Sequence, residues 1–394
     1  MRLNIRNTAI SVLCVSILLP IAGHAVEDAR GKVDRIVAQT IEPVMQHYGI
    51  PGMAVGVLIK GQGYVYDYGV ASKAGRPVTR NTLFEIGSVS KTFTATLASY
   101  AQIKGKLSFS DSASHYLPSL RGSSLDKVSL LNLGTHTSGG MPLQVPDNIT
   151  NNDQLMAYLR GWKPSYSPGA YRAYSNPSIG LLGMIAAKSM NEDFIALMQS
   201  KLLPALGMKN TYLNVPAAQM RNYAQGYSST DTPIRMAPGI LWSEAYGIKT
   251  TAADLLRFVK ANMRLLDIDP TWQMAIVNTH TGYYRVDTMT QDLIWEQYPY
   301  PVELDALLAG NSPKIVYEAN PAAELDPPLP PQDAVLINKT GSTNGFAAYV
   351  AFVTGKQIGI VLLANKSYPI DARVTAAYKI LMRLDAESKD FRGS

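Results

Sequence analysis

Residues 334–364 read AVLINKTGSTNGFAAYVAFVTGKQIGIVLLA. The apolar, β-branched and aromatic residues come in three runs, AVLINKTG (334–341), FAAYVAFV (346–353) and QIGIVLLA (357–364), separated by short Gly-containing breaks. Runs of this length and composition with turn residues between them predict three antiparallel strands joined by tight turns. Working outward, 370–384 has the periodicity of an amphipathic helix. At the other end of the chain, MAVGVLIK (53–60) and GYVYDYGV (63–70) form a hairpin signal after a helical segment at 33–48. Between these ends the pattern is mostly helical, with 89–104 stopped by Gly105 and 178–190 started by Pro177. The fold class expected is therefore α+β: one antiparallel sheet of five strands, built from both chain ends and flanked by helices, with an all-helical domain inserted. The α/β part is expected at about 26–85 and 230–394 and the helical part at about 86–229, with PAAELDPPLPP (321–331) as a surface loop.

A chain of 394 residues with 46% hydrophobic residues can bury a large core. Its first 25 residues carry a basic start (MRLNIR), an uncharged apolar run and small residues at Gly23 and Ala25, the pattern of a cleaved export signal. The apolar run is short for a membrane span, and no other segment approaches one. An exported, membrane-free chain of periplasmic address is expected, and a monomer, since no coiled-coil pattern is present. Cys14 is the only cysteine and falls inside that signal, so stability must come from burial rather than disulfides. Loss of Arg2 and Arg6 takes the net charge from +6 to +4, and no Lys/Arg cluster survives to form a nucleic-acid patch.

FEIGSVSKTF (84–93) puts Ser88 and Lys91 three residues apart, hence on one helix face about one turn apart. A serine hydroxyl becomes a nucleophile once a neighbour accepts its proton, and the helix start offers N–H groups for an oxyanion. Alone, Ser-x-x-Lys is a cap serine and a solvated lysine far more often than a site. Two further stretches supply context. AYSNPSIG (173–180) offers the phenol of Tyr174 and the amide of Asn176, just before a helix. INKTGSTNGF (337–346) puts Lys339-Thr340-Gly341 on a strand beside a turn, with Gly341 open to close approach by a substrate and the Ser342 N–H as a second oxyanion donor. SxxK, YxN and KTG in this order are analogous to the motif set of penicillin-recognising serine enzymes.

The sequence resembles the class C serine β-lactamases, the AmpC type. The resemblance runs over nearly all of the mature chain through IPGMAVGV (50–57), FEIGSVSKTF, THTSGGMPLQVPD (135–147), YSNPSIGLLG (174–183), AYGIKTT (245–251), KTGSTNGFAAYVAF (339–352) and LLANKSYPIDARV (362–374). It implies a site between an α/β domain with a five-stranded sheet and a helical domain. It also implies Ser88 as acylated nucleophile, Lys91 as its partner and Tyr174, between Lys91 and Lys339, as proton relay. By the same resemblance Gln144 and Asn176 would bind the acyl-side amide, Lys339, Thr340 and Arg373 would face the substrate carboxylate, and Tyr227 would line the pocket. Ile370 stands where many relatives carry an asparagine for that carboxylate, a contact Asn344 or Arg373 would then supply. The implied substrates are small β-lactams, cephalosporins and penicillins, with no cofactor.

Rival readings share parts of this set. A DD-peptidase has the same nucleophile, lysine and KTG but deacylates slowly from β-lactams; a carboxylesterase of this fold has no need of KTG; a sensor module traps β-lactam without turnover. There is no Gly-x-Ser-x-Gly elbow. The histidines at 24, 47, 115, 136 and 280 make no zinc set, and His136 is expected near the site without acting on the substrate. Trp242 and Tyr246 are expected to border the pocket or to pack.

Overall fold

The computed structural model describes residues 21–390, with side chains from 30 to 387; the first 20 residues, which hold most of the expected export signal, lie outside it. The chain begins with α1 (Ile21–Tyr48), then the hairpin of β1 (Gly52–Ile59) and β2 (Gln62–Ser72) and the short β3 (Arg76–Pro77). The central segment holds α2 (Ser90–Ile103) and α3 (Asn176–Ser189). The chain returns through α4 (Ala252–Asn262) to β4 (Gly282–Val286), β5 (Met289–Asp292), β6 (Glu296–Pro299), β7 (Ala323–Leu329), β8 (Val335–Ser342), β9 (Ala347–Val353) and β10 (Ile358–Ala364), and ends in α5 (Ile370–Asp390).

These strands form one antiparallel sheet in the order β7-β4-β5-β6-β8-β9-β10-β1-β2-β3. The five expected strands are its β8-β9-β10-β1-β2 portion, and the two chain ends meet where β10 pairs with β1, Met53 opposite Ala364. The sheet has ten strands rather than five because β7, β4, β5 and β6 extend it on one side and the short β3 on the other; β5 and β6 are the least visible of these. Their sequences hide this: Thr290, Gln291, Asp292, Glu296 and Gln297 are all buried polar residues, so no apolar run marks the strands. The expected loop at 321–331 is also corrected. It contains β7, whose Pro327 and Pro328 are tolerated because β7 is an edge strand and its missing N–H groups leave no ladder bond unmade.

The central strands are buried on both faces, which is why they read as continuous apolar runs. Met53, Val55 and Val57 pack with Ile360, Leu362 and the inner faces of α1 and α5. Ala54, Leu58, Val361 and Leu363 face the opposite side with α4 and one side of α2. A third core, with Ala95, Ala98 and Ala101 from the other side of α2 and Ile179, Leu182 and Ile185 from α3, fills the inserted segment. That segment is not all-helical: Tyr171–Ala173, Thr211–Tyr212 and Gly226–Tyr227 are short strands within it. No helix among the described residues is long and apolar enough to cross a membrane.

Candidate active site

Because α2 is wedged between two cores, every polar side chain in its first turns is buried and must find a partner. Ser90 Oγ accepts the Ile248 N–H at 3.1 Å and Thr94 Oγ1 donates to the Glu244 carbonyl at 2.6 Å. Lys91, fully buried, donates to the Ala245 carbonyl at 2.9 Å and to Ser88 Oγ at 2.9 Å. Ser88 itself lies in the 3-10 turn Gly87–Val89 that leads into α2 and is half-buried. Polar residues replace Ala or Leu here because they stitch α2 to 244–248 and aim an amine at a hydroxyl.

Tyr174 occupies the two-residue link between the strand Tyr171–Ala173 and α3. Lys91 Nζ and Lys339 Nζ each lie 5.2 Å from its ring centroid, and Arg172 Cζ lies 5.5 Å away. Burial by itself would raise the Tyr174 pKa. The two ammonium groups, with hydrogen bonds from Ser88 and Lys91 to its oxygen, outweigh burial and hold it below the ordinary phenol value. Lys91 is pushed below its ordinary value first by burial and further by Lys339, with Tyr174 opposing. Ser88, Lys91 and Tyr174 thus lie in one cluster in which the amine and the phenol both have lowered pKa values.

Beneath them is a buried ion network that the sequence motifs did not disclose. Glu296 Oε1 accepts from Arg172 at 2.9 Å and lies 3.5 Å from Lys339 Nζ, while Arg172 also donates to Gln291 Oε1 and to the Ile315 carbonyl. Arg172 had a signal, since two residues before Tyr174 on an extended segment is the same face. Glu296 belongs to no motif, and only the pairing of β6 with β8 brings it under Lys339.

The edge of β8 explains the role of KTG. Thr343 N–H is spent on the carbonyl of Phe346, the residue just before β9, so by strand alternation Thr340 and Ser342 direct their N–H and C=O groups to the other side. There β6 pairs only with Val335 through Asn338, leaving the edge open beside Ser88. Gly341 faces the chain itself rather than a substrate: a Cβ on it would come within 2.0 Å of the Ile86 carbonyl oxygen, and one on Gly87 within 2.4 Å of the Ser342 carbonyl oxygen. The missing side chains let the turn carrying Ser88 press onto the strand.

A cleft of about 170 Å³ is lined by Ser88, Gln144, Tyr174, Asn176, Lys339, Thr340, Gly341 and Ser342, together with Ile370, Val316 and Tyr317. Two larger depressions, of about 610 and 890 Å³, are lined by none of Ser88, Lys91, Tyr174 and Lys339. Asn176 is buried with its Oδ1 lacking a partner among the described residues, and its backbone N–H holds the Leu143 carbonyl at 3.0 Å, which anchors the loop carrying Gln144. Three expected residues are elsewhere. Arg373 is buried behind β8, donating to the carbonyls of Gly341 (2.6 Å), Ala348 (3.3 Å) and Tyr368 (2.7 Å) and to Ser342 Oγ (3.1 Å), so its charge is spent on the strand's back rather than on a carboxylate. Tyr227 is buried, its hydroxyl accepting the Lys73 N–H at 2.8 Å, and does not line the cleft. Asn344 is exposed on the turn after β8 and does not line it either. Tyr246 follows Ala245, whose carbonyl receives Lys91, and is half-buried against the third core.

Comparison with known proteins agrees with this geometry. The family model described as Beta-lactamase matches residues 37–384. A β-lactamase of Lysobacter lactamgenus is 53% identical over 354 residues, spanning 90% of this chain and 92% of that protein. The crystal structure of a class C β-lactamase in complex with cefoxitin is similar at a TM-score of 0.88 and 56% identity, covering 90% of this chain and 99% of that one. The crystal structure of the D-alanine carboxypeptidase AmpC from Burkholderia cenocepacia is similar at a TM-score of 0.86 and 55% identity, covering 90% and 99%.

Proposed function

This chain belongs to the β-lactamase family and is an enzyme of the class C kind, and from that premise we propose that it hydrolyses cephalosporins and penicillins through an acyl-enzyme on Ser88. The observation that carries the proposal is the 2.9 Å contact of Lys91 Nζ with Ser88 Oγ, with the Tyr174 ring between Lys91 and Lys339, each ammonium 5.2 Å from its centroid. Ser88 Oγ attacks the lactam carbonyl carbon while its proton passes into the Lys91–Tyr174 pair. The oxyanion draws on the N–H groups of Ser88 and Ser342. As the tetrahedral adduct collapses, the C–N bond breaks and Tyr174 returns a proton to the departing ring nitrogen. A water then attacks the ester carbon, Tyr174 takes its proton, and Ser88 leaves with the proton restored.

Substrate contacts follow from the same geometry. The unpartnered Oδ1 of Asn176 and the exposed amide of Gln144 suit the acyl-side amide. Lys339, with Thr340 on the open strand edge, suits the carboxylate. Ile370 contributes apolar surface to the cleft, so Lys339 and Thr340 carry that recognition without Asn344 or Arg373. The leader-like start of the chain supports export to the periplasm as part of this reading.

A second reading, peptidase activity on D-Ala-D-Ala ends, is favoured by the name of the Burkholderia cenocepacia relative. The test is turnover of a penicillin, a cephalosporin and a D-Ala-D-Ala peptide, with mass spectrometry of the protein quenched during and after reaction. Rapid lactam turnover with a transient adduct on Ser88 is the expected result. A lasting adduct with peptide cleavage establishes the second reading, and turnover without any adduct on Ser88 sinks both.

A further inference from the structure

His136 takes no part in the steps above, yet it packs on the Tyr174 ring and holds the backbone on either side of it. It is fully buried, and its ring centroid lies 4.5 Å from that of Tyr174 at an angle of 46°. Its carbonyl accepts the Ala173 N–H at 2.9 Å and its Nδ1 accepts the Ser175 N–H at 3.3 Å. Both peptide N–H groups flanking Tyr174 are therefore held by one residue. The double grip goes with a left-handed backbone at His136, φ 60°. The link needs such an anchor: the strand before it ends at Ala173 and α3 starts at Asn176, so no regular element fixes Tyr174.

The charges around the pair are Lys91 from α2, Lys339 from β8, Arg172 from the strand before Tyr174, and Glu296 from β6 beneath Lys339 and Arg172. Burial first, then Arg172, Lys91 and Lys339, keep the imidazole neutral by holding its pKa well below the ordinary value. Since Nδ1 accepts, the proton is on Nε2, which has no partner among the described residues. A neutral ring keeps the Nδ1 acceptor and adds no further positive charge to the phenol.

We infer that His136 is a positioning residue: by holding the N–H groups on either side of Tyr174 and packing on its ring, it sets the direction in which the Tyr174 hydroxyl reaches Lys91 and Ser88. The inference rests on the reading of Tyr174 as the proton carrier. A misdirected hydroxyl costs rate rather than substrate affinity, on the order of 10- to 100-fold.

The experiment is a double-mutant cycle between His136→Leu and Tyr174→Phe, with His136→Asn as the conservative variant, read as kcat and KM for a cephalosporin alongside urea unfolding. Asparagine offers an oxygen where Nδ1 was and tolerates the left-handed backbone. We expect kcat to fall about 10- to 100-fold in His136→Leu with KM little changed, most of the loss to be recovered in His136→Asn, and His136→Leu to add nothing in the Tyr174→Phe background. Wild-type kcat in His136→Leu, equal losses in both His136 variants, or losses that multiply with Tyr174→Phe would each overturn the assignment. If His136→Leu does not fold, His136→Ala takes its place with the same expectations. A Tyr174→Phe enzyme at full rate would instead remove the underlying reading of Tyr174, an outcome separable from the others.

Discussion

In the proposed mechanism, Tyr174 and the lysines beside it turn an ordinary hydroxyl into a reactive one by sharing a limited number of protons in a buried space. Replacing Tyr174 with Phe removes the group that both accepts and returns the proton. We expect kcat for a cephalosporin to fall roughly 10²- to 10⁴-fold with the urea midpoint unchanged; full activity in that variant contradicts the relay. Lys339 acts on the same protons from the other side. Its charge helps hold both the Tyr174 and the Lys91 pKa down. In Lys339→Ala both groups should bind their protons more tightly, so a higher pH is needed to free the base. The acid limb of the kcat–pH profile should therefore move to higher pH, and KM should rise because the carboxylate contact is lost. An acid limb that stays in place or moves to lower pH would show that Lys339 serves binding alone.

At the scale of elements, the decisive event is the pressing of the turn that carries Ser88 onto the open edge of β8. A methyl group on Gly341 would meet the Ile86 carbonyl, which is backbone and cannot swing aside. Gly341→Ala should therefore push Ser88 off the strand and lower kcat/KM by roughly 10²-fold. Gly105, at φ 65° after α2 with no atom within 4 Å of its would-be Cβ, is the control. Gly105→Ala should cost about 1–2 kcal/mol of stability and leave the kinetics alone. Steady-state rates and urea unfolding of the two variants separate the cases, and intact activity in Gly341→Ala would show that the contact is dispensable. The strands on either side of this contact differ in how visible they were. β8, β9 and β10 announced themselves because both faces are apolar, whereas β5 and β6 are built around buried Gln291 and Glu296, whose partners come from Arg172, more than a hundred residues earlier.

Across the whole molecule, a sheet of this size and three cores leave some titratable groups stranded in apolar surroundings. His280 is one: buried, 2.9 Å from Asn262 Oδ1, and pushed down from 6.5 to about 3 by burial and then by Arg264. The folded chain refuses a proton that the unfolded chain accepts. The stability this group contributes is complete above pH 6.5 and drains away as pH falls toward 3. In His280→Gln the slope of unfolding free energy against pH should flatten in that window by up to about 1.4 kcal/mol per pH unit. Urea unfolding at a series of pH values reads it, and an unaltered slope would assign acid sensitivity to other groups.

Sequence alone determined the parts that depend on neighbours close along the chain. Ser88 and Lys91 share a helix face because of their spacing, the termini build strands because of their apolar runs, and the order of SxxK, YxN and KTG points to acyl transfer. Tertiary structure decided what depends on distant segments meeting. It turned Arg373 to the back of β8, gave Tyr227 to Lys73, left Asn344 outside the cleft, brought Glu296 under Lys339, and turned the expected nearness of His136 into a ring contact with Tyr174. The reason is that a side chain's chemistry is written in its identity, while its charge state and reach are set by what burial places around it. Those surroundings come from strands and helices whose pairing no local pattern records.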